Sequence, residues 1–146
     1  MRHIAALALA LFVLSAASVQ AQTIGTFSWR LAPYGSVLTL TVTQRGGVYE
    51  LIGFESQCGG NLSLPASGVA VPQANGTIFF GVTSINERGG GLHTRGFITL
   101  PTLSGTWSDN AGNTNQPFLP TVPASPNCVG GPRTDPLIGD AAVPEP

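Results

Sequence analysis

The sequence predicts an all-β domain: an antiparallel meander of seven or eight strands, closed into a small barrel or a barrel-like sandwich. Three observations carry that expectation. Between Thr26 and Phe118, apolar and polar residues alternate in short runs, and a period of two marks a strand with one buried face. Glycine, asparagine or proline breaks each run, at spacings that suit turns between neighbouring strands. No segment of that region carries a convincing helical period.

Taken in order, Thr26 to Leu31 reads as a strand with Phe27, Trp29 and Leu31 on one face, ended by the turn Ala32-Pro33-Tyr34-Gly35. Val37 to Gln44 sets Leu38, Leu40 and Val42 inward against Thr39, Thr41 and Thr43, a β-favouring row on a wetted face. Arg45-Gly46-Gly47 turns into Val48 to Phe54, where both faces carry apolar groups. Glu55 to Pro65 reads as a long loop, and Ser67 to Val71 as a weak strand. Asn75-Gly76 is a hairpin signal for a type I′ turn, leading into Thr77 to Ile85 with Ile78, Phe80 and Val82 on one face. Glu87 to Gly91 forms a flexible tip before Leu92 to Leu100. Pro101-Thr102 turns into Leu103 to Ser108. Asp109 to Asn113 is a tight turn, and Thr114 to Leu119 supplies a closing strand.

The two ends differ from this middle. Met1, Arg2 and His3 form a short basic segment, Ile4 to Ala17 is nearly all apolar, and Val19-Gln20-Ala21 matches a signal-peptidase site. Residues 1–21 therefore read as a signal peptide and 22–119 as the barrel-like domain. Residues 120–146 are punctuated by seven prolines and read as a disordered tail. The apolar run is short for a spanning helix, so no membrane span is expected in the mature chain. The expected location is secreted or periplasmic. The final Val143-Pro144-Glu145-Pro146 resembles the opening of a sorting signal of some exported bacterial proteins, which leaves a chance match or a chain cut short.

Charge is sparse. Six basic residues face seven acidic ones, for a net charge of −1, which excludes the basic footprint that nucleic acid requires. Cys58 and Cys128 are the two cysteines, and in an exported protein the default is a disulfide between them. Free or intermolecular thiols are the alternative.

Candidate chemistry is thin. His93 is the one histidine after the signal segment, and it shares a face with Arg95 and Phe97 rather than with metal-ligating partners. Glu50 and Glu55 differ by an odd number and point to opposite faces of a regular strand, whereas a glycosidase needs two carboxylates across a cleft. No nucleophile-elbow pattern occurs. The sequence is read as non-enzymatic, with no catalytic residue, metal site or cofactor.

Gly105-Thr106-Trp107 resembles the Gly-x-Trp of avidins and lipocalins, where a tryptophan on a barrel strand closes one end or lines the ligand site. There the motif belongs to the first strand; here it comes late. The blocks Phe27-Ser28-Trp29-Arg30-Leu31, Leu38 to Gln44, Gln57-Cys58-Gly59 and Leu103-Ser104-Gly105-Thr106-Trp107 resemble a group of uncharacterised exported bacterial small β-proteins. That likeness implies the fold without an activity. It also implies a second cysteine near the first turn, where this chain has Pro33-Tyr34-Gly35-Ser36. Cys128 is then a substitute partner for Cys58 or an accident of the tail.

Trp29, Leu40, Phe80, Phe97 and Trp107 are the expected core or lumen residues. Trp29, Phe80, Phe97 and Trp107 are the candidate ligand contacts. The leading expectation is an exported binding module for a small apolar ligand. The alternative is a protein-interaction, inhibitor-like or structural domain of the cell envelope, acting through the Glu55–Pro65 and Glu87–Gly91 loops on an envelope protein.

Overall fold

A computed structural model describes residues 20–57, 63–86 and 89–121. Most of the expected signal peptide, both cysteines with their expected bridge, the tip residues Glu87 and Arg88, and the tail beyond Thr121 lie outside the described residues. Eight strands follow one another: β1 (Gln22–Leu31), β2 (Ser36–Arg45), β3 (Val48–Ser56), β4 (Ser63–Pro72), β5 (Thr77–Ile85), β6 (Gly91–Thr99), β7 (Ser104–Asp109) and β8 (Gln116–Thr121). Each pairs antiparallel with the next, and β8 returns to β1 to close a barrel. No helix among the described residues is long and apolar enough to cross a membrane.

The alternation in the sequence is the alternation of the wall. Leu38 and Leu40 of β2, Leu51 of β3, Ile78, Phe80 and Val82 of β5, and Ile98 of β6 point inward and are buried together. Burying side chains of this size stabilises the fold by about 1.5–3 kcal/mol each. The threonine row of β2 points outward. Thr39 is nonetheless buried, in a hydrogen bond with Ser28 across the β1–β2 ladder at 2.9 Å.

Small inward positions set the curvature. A Cβ on Gly105 would collide with the Phe97 carbonyl oxygen, and one on Gly96 with the Thr106 carbonyl oxygen. The strands can approach and bend only where the side chain is absent. The Phe80 ring lies against the space left at Gly96.

The strands β3 and β4 are longer than the sequence suggests. β3 runs through Ser56 and β4 starts at Ser63, so the expected Glu55–Pro65 loop shrinks to a short connection. The weak strand Ser67–Val71 is part of a ten-residue one. Pro65 and Gly68 lower the apparent propensity of this segment, but pairing on both sides holds it in the wall. The Asn75-Gly76 turn is not type I′. Only Gly76 has positive φ, at 80°, and its N–H donates to the Gln73 carbonyl at 3.1 Å. That is a type I turn followed by a left-handed glycine. β8 lies two residues later than expected and contains Pro117 and Pro120, which donate no backbone hydrogen bond. Its ladders are accordingly short, three residue pairs with β7 and four with β1.

Candidate ligand cavity

The two ends of the barrel are built differently. At one end the β1–β2 and β7–β8 turns fold over Trp107, which is fully buried. Its indole N–H donates to the carbonyls of Ala32 and Pro117 at 3.2 and 3.1 Å. Tyr34 packs against Trp107 with ring centroids 6.3 Å apart, and its hydroxyl donates to Asn113 Oδ1 at 2.7 Å. Asp109 ties down the β7–β8 turn by accepting from the N–H groups of Ala111 and Asn113. This end is plugged.

Close to the plug lies a polar layer that the sequence reading missed. Glu55 is completely buried and accepts a hydrogen bond from the Ser84 hydroxyl at 2.8 Å. Ser36 is also fully buried, and Thr94 nearly so. The expectation that Glu50 and Glu55 face opposite sides holds. Glu50 is outside, in an ion pair with Arg45 at 2.9 Å. The signal for Glu55 was its parity with Leu51 and Gly53, obscured once the segment was read as loop.

The middle of the barrel is crossed by an aromatic stack. Phe118 lies between Trp29, at 5.3 Å and nearly parallel, and Phe80, at 4.8 Å. Phe27 continues the row beyond Trp29 at 6.0 Å. Above this floor the interior is hollow: a cavity of about 200 Å³ is lined by Leu40, Leu51, Ala70, Ile78 and Ile98 and rimmed by Ile24, Tyr49, Leu100 and Leu103. Ile24 and Leu100 are about half exposed, so the cavity opens at their end. Of the lining side chains only Trp29 and Tyr49 carry a polar atom.

The Trp29 N–H is engaged by the Leu103 carbonyl at 2.9 Å. Leu103 adopts a left-handed backbone at φ 56°, a conformation that costs a branched residue on the order of 1–2 kcal/mol. Its own N–H donates to the Thr99 carbonyl at 2.8 Å. The turn thereby aims one carbonyl at the indole and places the leucine side chain on the rim. A second hollow, about 320 Å³ among the described residues, lies along the β1–β8 seam beside Pro120 and Thr121. It shares Phe27, Trp29 and Leu103 with the cavity and adds Thr26, Ser28 and Thr121. Among the described residues no charged side chain lines either space.

The four expected ligand contacts thus separate. Trp29 and Phe80 meet at the cavity floor. Trp107 is the plug of the opposite end. Phe97 is on the outer wall, half exposed and packed against Phe79 at 5.0 Å. Its parity with His93 and Arg95 already placed it outside, since Gly96 and Ile98 are the inward residues of β6. The cavity residues not anticipated include Phe118, Tyr49, Ile24, Ala70 and the rim pair Leu100 and Leu103. His93 is exposed on the outer wall, with Nδ1 2.9 Å from Thr83 Oγ1. Among the described residues no group of three or more His, Cys, Asp or Glu is placed to hold a metal ion.

Comparison of the chain with protein-family models, curated proteins and solved structures finds no match.

Proposed function

We propose that this protein is an exported, non-enzymatic binding module that takes a small, uncharged, apolar ligand into the open end of its barrel. The observation that carries this reading is the cavity, hollow and apolar above the Trp29–Phe118–Phe80 floor. An apolar cavity of about 150 Å³ in another protein stays dry and accepts benzene, so the space suits a ligand of one or two rings or a short aliphatic chain. The absence of charge around it selects against ions, because burying an unpaired charge costs far more than apolar contact returns. The seam groove beside Leu103 gives a longer ligand somewhere to run.

A ligand burying on the order of 200 Å² of apolar surface gains about 5 kcal/mol from transfer, which the loss of its free motion reduces, so the Kd is no tighter than about 0.2 mM. Tighter binding requires the ligand to continue into the seam.

Two features support the remaining parts of the reading. Met1 to Ala21 has the pattern of a cleaved export signal, and sequencing of the exported form is expected to start at Gln22. Glu50 and Glu55 lie on opposite sides of the wall, which disfavours a paired-carboxylate mechanism. Native mass spectrometry of the protein purified from its own envelope tests the binding claim. A bound neutral species lost on Ala70→Leu, which places three more carbons in the cavity, is the expected result. A filled or ligand-free interior with no uptake from an apolar panel would sink it.

A further inference from the structure

The outside of the barrel is two-sided. β1 and β2 present hydroxyls, among them Thr26 and Thr41, bonded to each other at 2.9 Å. Strands β3 to β6 present Ile52, Phe54, Val69 and Phe97, each more than two-fifths exposed. Exposed apolar side chains grouped in this way, with Ser67, Thr83, Glu50 and Arg95 among them, mark a contact surface.

Gly81 of β5 sits in the middle of that face, and the chain gives no reason for a glycine there. Its φ is not positive, and a Cβ built on it would meet nothing within 4 Å. A strand glycine in a barrel marks a bend or a close approach by another surface, and the open space over Gly81 leaves room for the second.

We propose that this face is the contact between two copies of the chain, packed sheet on sheet about a two-fold axis that runs parallel to the strands over the β4–β5 boundary. The ladder registers supply the argument. Glu50, Val69, Gly81 and Arg95 lie in one row across β3, β4, β5 and β6. A two-fold axis there exchanges β4 with β5 and β3 with β6. The protruding Val69 then faces the dent at the second copy's Gly81, and Glu50, whose Oε2 also holds Arg45 of its own chain at 2.9 Å, faces the second copy's Arg95, each contact occurring twice. In the next row Val71 pairs with Phe79, so each faces the other's counterpart, flanked by the Phe79–Phe97 ring pair. On the other side Ser67 pairs with Thr83, and hydroxyl faces hydroxyl. Aligned sheets cross at about 30°, which centres the contact on β4 and β5 and leaves Glu50 and Arg95 as long-armed rim charges. Those charges fix the register.

Sedimentation equilibrium of the full exported chain tests this independently of the cavity. A dimer is expected. Gly81→Ala and Val69→Glu, with circular dichroism showing an intact barrel, are expected to raise its dissociation constant by more than about tenfold. Glu50→Arg is expected to weaken it and the double variant Glu50→Arg, Arg95→Glu to restore it. A monomer at every concentration, including one that instead binds neutral phospholipid vesicles, overturns the proposal. So does a dimer indifferent to Gly81→Ala and Val69→Glu, or a charge exchange that restores nothing.

Discussion

Leu103 holds the least comfortable backbone around the cavity, and the reason is visible in what its carbonyl does. The left-handed turn brings that oxygen to the Trp29 N–H, which would otherwise face an apolar cavity without a partner. An orphaned indole donor costs about 1–3 kcal/mol, comparable with the strain. Replacing a fully buried leucine with a smaller residue costs about 2–5 kcal/mol, and the partly buried Leu103 loses less. Leu103→Gly keeps the carbonyl and relieves the strain, so the expected loss in urea unfolding is under about 1 kcal/mol. The buried Glu55 behaves differently. Ser84→Ala removes a hydrogen bond from a fully buried carboxylate, and the expected loss of unfolding free energy is about 1–3 kcal/mol.

At the scale of elements, the glycines of the wall separate into two kinds. Gly105→Ala would drive a methyl group into the Phe97 carbonyl, and overpacking of that sort costs about 1–3 kcal/mol. Gly81→Ala meets only open space. In dilute solution it is expected to leave the melting temperature unchanged or to raise it slightly, since alanine is better than glycine within a strand by about 0.5–1 kcal/mol. Thermal melts of the two variants, side by side, check both statements.

Strand existence and facing were legible because period two is a local property. β2 shows this, with Leu38, Leu40 and Val42 inward as its sequence says. The extents of β3 and β4 were not legible, because Glu55, Pro65 and Gly68 are poor strand residues held by partners on both sides. The cavity floor was half legible. Trp29 and Phe80 declare themselves, whereas Phe118 sits in a proline-flanked segment whose pairing depends on closure with β1. Phe97 shows the converse error, since its size suggested the interior while its parity placed it outside.

At the scale of the whole molecule, the two ends differ. One end is plugged by Trp107 and its carbonyl partners, and the other opens past Ile24 and Leu100 onto an apolar floor. The proposed binding requires that this hollow take a guest. The direct measurement is tryptophan emission during titration with benzene, which dissolves well beyond the expected Kd and does not emit in the tryptophan range, in the native chain and in Ala70→Leu. Trp29 is in the cavity floor while Trp107 is sealed at the far end, so a saturable change in the native chain, absent from Ala70→Leu at unchanged stability, is the expected result. Emission that is unaffected by the probe, or that changes equally in both proteins, would contradict it.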